Sequence, residues 1–168
     1  MDRFQIRLAR PEDLPVLYAL LLELAEYEKL LDTVKLTEEN FGKALFESPS
    51  MIEAILADME DESVGFALFY PVFPTFLGRA GMYLEDIFVR PACRGLGIGK
   101  KLLSTVTRIS RDRGLGRVDW AVLDWNEPAQ KFYRSLGARP KEGWTVYQLV
   151  GDAMESVANE GTDLSTAR

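Results

Sequence analysis

The chain is organised around the stretch YLEDIFVRPACRGLGIGKKLL, residues 83–103. Its first part is an apolar run that only the acidic pair Glu85-Asp86 interrupts, which predicts a strand. Pro91 ends that strand, because proline cannot donate a strand hydrogen bond. A glycine-rich turn, residues 94–99, comes next, and a helix-like run follows it. Backbone N–H groups point out of a helix start, so the stretch predicts an anion site.

The glycine spacing does not fit two common nucleotide motifs. A dinucleotide fingerprint that starts at Gly95 would need its third glycine where Lys100 stands. A P-loop would need glycine in place of Arg94 and Ser or Thr in place of Lys101. The pattern present is Arg-x-x-Gly-x-Gly. It indicates either an anion-binding turn or an ordinary turn that needs positive backbone angles.

Composition limits the possible chemistry. The chain has no histidine, which excludes Ser-His-Asp and Cys-His catalysis and nearly all catalytic zinc sites, so we expect no metal. General acid–base catalysis must therefore use Glu, Asp, Tyr or Lys, or a water molecule that one of these side chains binds. The net charge of −6 argues against nucleic acid as a partner and suits a small cationic substrate.

Length and terminal composition indicate a single domain. We predict that the domain covers residues 1–151 and that a polar C-terminal tail with little core to bury covers residues 152–168. There is no apolar stretch of membrane-spanning length and no signal-peptide pattern, so we expect a cytoplasmic protein with no membrane partner. The single cysteine, Cys93, agrees, since it admits no internal disulfide.

The hydrophobic pattern predicts a mixed α/β domain, with an antiparallel sheet in the N-terminal half and βαβ crossovers in the C-terminal half. The predicted strands cover residues 4–8, 51–57, 64–70, 82–89, 117–123 and 144–150. The predicted helices cover residues 14–31, 37–48, 97–114 and 126–137, the second with a capped start at Thr37. Strands two and three form a hairpin, whose acidic tip at residues 58–62 we expect to be solvated.

Six short motifs stand in order along the chain: LAEYE (24–28), YLEDIFV (83–89), RGLGIG (94–99), WNEP (125–128), FY (132–133) and EGW (142–144). The Arg-x-x-Gly-x-Gly turn resembles the coenzyme A pyrophosphate motif of the GCN5-related N-acetyltransferase (GNAT) family. Together the six motifs resemble its diamine (spermidine/spermine) N-acetyltransferase subfamily, which includes thialysine-type members. The resemblance spans about residues 4–150 and implies a GNAT-like fold.

The resemblance implies acetyl-coenzyme A as co-substrate. The backbone of Ile87, Phe88 and Val89 would pair with the pantetheine arm, as an added strand pairs with a sheet edge. Arg94 and the backbone amides after it would hold the pyrophosphate. Those turn residues are Gly95, Leu96, Gly97, Ile98, Gly99 and Lys100. The start of a later helix adds further cofactor contacts, at Asn126, Glu127, Pro128 and Ala129.

Two residues are expected to catalyse the transfer. The attacking amine must lose a proton, and Glu85 would accept it through an ordered water. Burial on the strand would raise the pKa of Glu85 and make it a better base. The other interpretation places Glu85 and Asp86 on a solvent face, but adjacent strand residues point to opposite faces, so at least one should face inward. Tyr133 would protonate the departing thiolate, although Phe132-Tyr133 could instead be a core aromatic pair.

The resemblance also implies a substrate site in which carboxylates fix the distal ammonium groups of an extended amine. Its residues are Tyr27, Glu28, Glu85, Asp86, Asp119, Trp120, Ala121 and Glu142. Without the resemblance, Glu28 would be interpreted as a solvated helix end. Members of the family are usually homodimers, so a homodimer is expected.

These features predict direct acetyl transfer, in a ternary complex, to a primary amine of a small cationic substrate. The substrate is a diamine or polyamine such as spermidine, or a lysine-like amine such as thialysine, and the motifs do not separate the two. One alternative is the same chemistry on an amino acid, an aminoglycoside or a protein N-terminus. The other is a non-catalytic acetyl-coenzyme A-binding module, against which the presence of Glu85 and Tyr133 argues.

Overall fold

The computed structural model describes residues 4–164. The chain divides into two compact units, of which the first ends at Ala121 and the second begins at Val122. The division predicted at residue 151 stays a prediction. No helix within residues 4–164 is both long enough and apolar enough to cross a membrane.

The first unit is built on a five-stranded sheet. Its strands follow chain order: β1 (Gln5–Leu8), β2 (Glu53–Met59), β3 (Glu62–Val72), β4 (Gly81–Val89) and β5 (Val118–Asp119). Neighbours from β1 to β4 are antiparallel, whereas β4 and β5 are parallel. The predicted mixed sheet, antiparallel first and parallel after a crossover helix, is therefore confirmed.

Three helices belong to the first unit, α1 (Leu14–Tyr27), α2 (Glu38–Phe46) and α3 (Ile98–Asp112), and two to the second, α4 (Glu127–Ser135) and α5 (Gly151–Asn159). The Thr37 hydroxyl accepts a hydrogen bond from the Asn40 amide at 3.2 Å, which confirms the predicted cap of α2. Short 3-10 turns cover Pro11–Asp13, Leu31–Thr33, Thr75–Leu77 and Pro91–Cys93.

The core of the first unit lies on both faces of the sheet. On one face α1 and α2 pack against β2, β3 and β4, and Leu17, Leu20 and Phe66 are fully buried there. Alternate side chains of a strand point to opposite faces, so the buried residues of α3, such as Leu102 and Val106, pack on the other face. The crossover between β4 and β5 thereby places the start of α3 beside the end of β4.

Two predicted strands differ in the structure. The strand predicted at residues 117–123 is reduced to Val118–Asp119. The strand predicted at residues 144–150 is wrong, because these residues have no regular secondary structure and Val146 is 93% exposed. Their alternating pattern suits a strand, but a strand needs a partner for its backbone hydrogen bonds, and the second unit has none within residues 122–164.

The β2–β3 hairpin also corrects the sequence interpretation, because Asp58 is not at a solvated tip. Asp58 is buried and belongs to β2. Its carboxylate accepts hydrogen bonds from the Arg7 side chain and from the Ser63 hydroxyl. The turn is tighter than predicted: only Glu60 and Asp61, both with positive φ, connect the strands.

Candidate active site

A β-bulge interrupts β4 at the acidic pair. Leu68 of β3 pairs with Asp86 and the next residue, Phe69, pairs with Leu84, so Glu85 is an extra residue with no partner across the ladder. A bulge of this kind sets two residues of one strand against one of the other and changes the direction of the side chains. The bulge therefore decides where the two carboxylates of the pair point.

Both carboxylates of the bulge face the α1 side of the sheet. Asp86 lies opposite Leu68, which belongs to the core cluster under α1 and α2. Glu85 Oε2 accepts a hydrogen bond of 2.9 Å from the hydroxyl of Tyr70, and Tyr70 shares a face with Leu68, two residues before it. The strict alternation assumed from the sequence does not hold here, because the bulge brings neighbouring side chains to one face.

The electrostatics distinguish the two carboxylates. Glu85 is exposed, so the burial predicted for its side chain is wrong. Asp86 is the more buried residue of the pair. Burial, with the nearby charges of Glu85 and Glu28, raises the pKa of Asp86 to about 7. Glu28 follows the last residue of α1, and burial raises its pKa as well. Glu28 is thus part of an acidic cluster with Glu85 and Asp86 and is not a solvated helix end.

Two tyrosines flank the acidic cluster, and the sequence interpretation did not include them in the site. Tyr70 and Tyr83 face each other across β3 and β4, with ring centroids 5.4 Å apart. Burial and the hydrogen bond to Glu85 raise the pKa of Tyr70 to about 12. Burial and the charges of Glu85 and Asp119 raise the pKa of Tyr83. Both phenols therefore remain protonated at neutral pH and can act as hydrogen-bond donors.

The edge of β4 beyond the bulge is open within the first unit. The short strand β5 pairs with Met82 and Tyr83 alone, whereas β3 pairs along the length of β4. Residues 84–89 consequently have no strand neighbour on the β5 side within residues 4–121. An open edge of this kind can accept an extended ligand, and it contains Ile87, Phe88 and Val89, the residues predicted to pair with pantetheine.

Arg94 is held where β4 and α1 end. Its Nε donates to the carbonyl of Val89 at 2.9 Å, and its guanidinium lies 4.4 Å from the ring centroid of Tyr27 and 5.7 Å from that of Phe88. Cation–π contacts of this length are attractive. Tyr27, predicted to contact substrate, thus also contacts the arginine predicted to bind the pyrophosphate.

The glycine turn has the geometry of an anion site. Gly95 and Gly97 have φ of 80° and 87°, and a Cβ on either would meet no heavy atom within 4 Å. Backbone conformation, not crowding, therefore requires glycine here. Gly97 caps α3, and its carbonyl accepts from the Lys101 amide at 3.0 Å. The amides between Gly97 and Lys101 belong to the first helical turn and have no acceptor within the helix.

The other predicted cofactor residues of the turn differ in exposure. Leu96 and Lys100 are exposed, whereas Ile98, the first residue of α3, is buried. Only the backbone of Ile98 is therefore available to an anion. Among the predicted substrate residues at the end of the first unit, Asp119 is paired with Arg117 at 2.6 Å, Trp120 is partly buried and Ala121 is exposed.

The remaining predicted residues belong to the second unit. Asn126 is buried and caps α4, with its side chain accepting from the Ala129 amide at 3.3 Å. Tyr133 is partly buried on α4, and its ring centroid is 5.3 Å from that of Phe132. The others, Glu127, Pro128 and Glu142, are exposed, and Glu127 pairs with Arg134. No group of three or more potential metal ligands occurs within residues 4–164.

The fold and the glycine turn define the class of protein. A model of the Acetyltransferase (GNAT) family matches residues 15–138, which run from α1 through α4. The chain belongs to the GNAT family and is a GNAT N-acetyltransferase. The mixed sheet and the family resemblance predicted from the sequence are both confirmed.

Individual relatives narrow the class further. The chain is 39% identical to a thialysine N-epsilon-acetyltransferase of Bos taurus, over 92% of this chain and 97% of the relative. It is 31% identical to a spermidine/spermine N(1)-acetyltransferase-like protein of Homo sapiens, over 95% of this chain but 24% of that longer protein. Among solved structures, an integron cassette protein from the mobile metagenome of V. cholerae matches with a TM-score of 0.78 and 27% identity, over 93% of this chain and 98% of that one.

Proposed function

We propose that the protein transfers the acetyl group of acetyl-coenzyme A to a primary amine of a small cationic substrate. The substrate class is a diamine or polyamine such as spermidine, or a lysine-like amine such as thialysine. The observation that carries this proposal is the acidic cluster that Glu85 and Asp86 of the bulged strand form with Glu28 at the end of α1.

The acidic cluster calls for a cationic ligand. None of its three carboxylates forms an ion pair with a lysine or arginine of the part of the chain that the structure describes. Burial of Asp86, followed by the charges of Glu85 and Glu28, raises the pKa of Asp86 to about 7. An ammonium group beside Asp86 would favour its charged form and relieve the repulsion from those charges. A substrate with two or more ammonium groups is therefore expected to bind better than a monoamine.

The residues around the glycine turn suit acetyl-coenzyme A, the co-substrate of the GNAT family. The amides that open α3, together with Arg94, would bind the pyrophosphate, and the open edge of β4 would pair with the pantetheine arm. When bound, acetyl-coenzyme A supplies the acetyl group as a thioester and accepts a proton on sulfur as it leaves.

Two residues of the chain would move the protons of a direct transfer. Glu85 would take a proton from the substrate ammonium through a water molecule, and its exposed position allows that water to approach. Tyr133 would donate a proton to the leaving sulfur. One C–N bond forms and one C–S bond breaks, so no acyl-enzyme is needed and Cys93 has no part in the reaction.

The proposed substrate class includes lysine-like amines as well as diamines and polyamines, and the relatives support including both kinds. The bovine relative is a thialysine acetyltransferase and the human relative is a spermidine/spermine acetyltransferase-like protein. Both kinds of substrate present a primary amine at one end and a further ammonium group at a distance. The acidic cluster suits either kind.

A substrate panel tests the proposal. Purified protein is incubated with acetyl-coenzyme A and, in turn, putrescine, spermidine, thialysine, lysine and an aminoglycoside, and coenzyme A release is followed with mass spectrometry of the product. We expect release with a diamine, polyamine or thialysine and a mass increase of one acetyl group. If calorimetry shows tight binding of coenzyme A while no amine is acetylated, the binding-module alternative is correct instead.

We also propose that the protein is a homodimer. Several large apolar side chains of the second unit are exposed in the single chain, among them Trp144 at 65% and Tyr147 at 91%. Aromatic side chains are enriched at protein interfaces. Sedimentation equilibrium at micromolar concentration is expected to give twice the chain mass, and the mass of one chain would contradict the proposal.

A further inference from the structure

The bulge leaves the Glu85 side chain with little to orient it. Glu85 has no residue opposite it on β3, and it is exposed. A glutamate side chain with three rotatable bonds loses considerable freedom when it is held in one geometry. A base that must meet one water and one amine needs such a fixed geometry. Some neighbouring group therefore has to hold the carboxylate.

Tyr70 is well placed to supply that restraint. Its hydroxyl donates to Glu85 Oε2 at 2.9 Å, which leaves Oε1 available as an acceptor. The Tyr70 ring is itself fixed, because it pairs with Tyr83 across the ladder and packs against that ring at 5.4 Å with a 36° tilt. The phenol also keeps its proton at neutral pH, since burial and Glu85 raise the pKa of Tyr70 to about 12.

We propose that Tyr70 is a positioning residue that holds the Glu85 carboxylate in the orientation in which Oε1 accepts the substrate proton. The role rests on the proposed function of Glu85 as the proton acceptor. Tyr70 acts through Glu85, so its loss is expected to affect turnover and to leave the binding of acetyl-coenzyme A unchanged.

A double-mutant cycle tests the coupling. Tyr70→Phe keeps the ring and its contact with Tyr83 but removes the donor, and we expect kcat to fall about tenfold with the KM for acetyl-coenzyme A unchanged. In a Glu85→Gln background the same substitution is expected to change kcat less than about twofold, because the base that Tyr70 would position is already absent. An equal fall in both backgrounds, or no fall in the first, would overturn the proposal.

Tyr18→Phe is the matched control. Tyr18 is also partly buried, and its hydroxyl donates to the Leu36 carbonyl at 3.0 Å and not to a residue of the acidic cluster. We expect any change that it causes in kcat to be the same in the wild-type and Glu85→Gln backgrounds. Coupling of Tyr18 to Glu85 as strong as that of Tyr70 would show a general structural effect and would also overturn the proposal.

A measurement without turnover separates this inference from the proposed function. The 13C resonance of the Glu85 carboxyl, assigned by its loss in Glu85→Gln, is expected to shift in Tyr70→Phe and not in Tyr18→Phe. An unchanged resonance in Tyr70→Phe means that Tyr70 does not hold Glu85. Absence of acetylation of every amine by the wild-type protein means instead that the proposed function is wrong, whatever the resonance does.

Discussion

At the scale of single residues, Asp86 has an unusual ionisation for an aspartate. Burial, Glu85 and Glu28 place its pKa at about 7, above the ordinary value of 3.8. A carboxyl group whose pKa is higher in the folded state favours folding at low pH, and that contribution is lost as the pH rises through the folded pKa. Ionisation of Asp86 therefore destabilises the protein when no substrate is bound. The loss of stability begins near pH 4 and is complete above about pH 7.

The loss of stability on ionisation of Asp86 leads to the first prediction. Asp86→Asn should stabilise the protein relative to wild type, and the gain in free energy of unfolding should be about 2 kcal/mol larger at pH 8 than at pH 5. Urea titrations at the two pH values measure it. Asp32→Asn is the control, because Asp32 is exposed, and it should change the free energy of unfolding by less than about 0.5 kcal/mol. An equal effect of Asp86→Asn at both pH values would contradict the ionisation that we describe.

The second prediction concerns Tyr133. Tyr133→Phe keeps the aromatic ring and its contact with Phe132 but removes the proton donor. We expect kcat to fall about 100-fold while the KM for acetyl-coenzyme A stays the same. Tyr18→Phe is the control and should leave kcat unchanged, since the Tyr18 hydroxyl donates to the Leu36 carbonyl and has no proposed part in the transfer. Unchanged turnover of every accepted amine by Tyr133→Phe would show that another group protonates the sulfur.

At the scale of elements, the third prediction compares two glycines at opposite ends of α3. Gly97 and Gly114 both have positive φ, 87° and 72°, and both have open space where a Cβ would stand. Alanine at either position should cost about 1 kcal/mol of stability. Only Gly97→Ala should also raise the dissociation constant of coenzyme A, about tenfold, because only Gly97 orients the amides that open the helix. Calorimetry with coenzyme A measures both variants, and equal affinities would contradict the anion site.

The elements that the sequence predicts well are those with local signals. The strand before Pro91, the glycine turn and the helix after it each have a residue-level cause within the same stretch. The cap at Thr37 is equally local, and the structure confirms it.

The features that the sequence does not predict depend on distant partners. The bulge at Glu85 is a property of the register between β3 and β4, and the Tyr70 hydrogen bond crosses that same ladder. Asp58 looks like a turn residue because its partner, Arg7, lies 51 residues earlier. At residues 144–150 the sequence predicts a strand that the structure does not contain. An alternating pattern forms a strand only when a partner strand is present to share its hydrogen bonds.

At the scale of the whole molecule, one ionic network joins distant segments of the first unit. Arg7 of β1 binds Asp13 at the start of α1 and Asp58 of the β2–β3 hairpin. The hydrogen bond from Arg7 holds the pKa of Asp13 below its ordinary value. A lowered pKa stabilises the fold above pH 4, and this contribution is lost as the pH falls through the folded pKa.

The fourth prediction is that Arg7→Met lowers the free energy of unfolding by about 3 kcal/mol at pH 7, because it leaves two buried carboxylates without their partner. The difference from wild type should narrow as the pH falls towards 3. Arg108→Met is the control, since Arg108 pairs with Asp112 on the exposed face of α3, and it should cost less than about 0.5 kcal/mol. Urea titration of the three proteins at pH 7 and pH 3 decides between these outcomes.

The acidic cluster leads us to expect that the site recognises a second positive charge on the amine that it acetylates. A matched substrate pair isolates that charge: 1,4-diaminobutane and 1-aminobutane share the reacting amine and differ only at the far end. Coenzyme A release with each amine gives kcat/KM for the wild-type protein and for Glu28→Gln, which weakens the cluster but leaves Glu85 and Asp86 in place.

We predict that the wild-type protein acetylates the diamine with a kcat/KM about 100-fold higher than the monoamine, and that Glu28→Gln narrows this ratio. Equal values for the two amines in the wild-type protein, or release of coenzyme A with neither, would contradict the account.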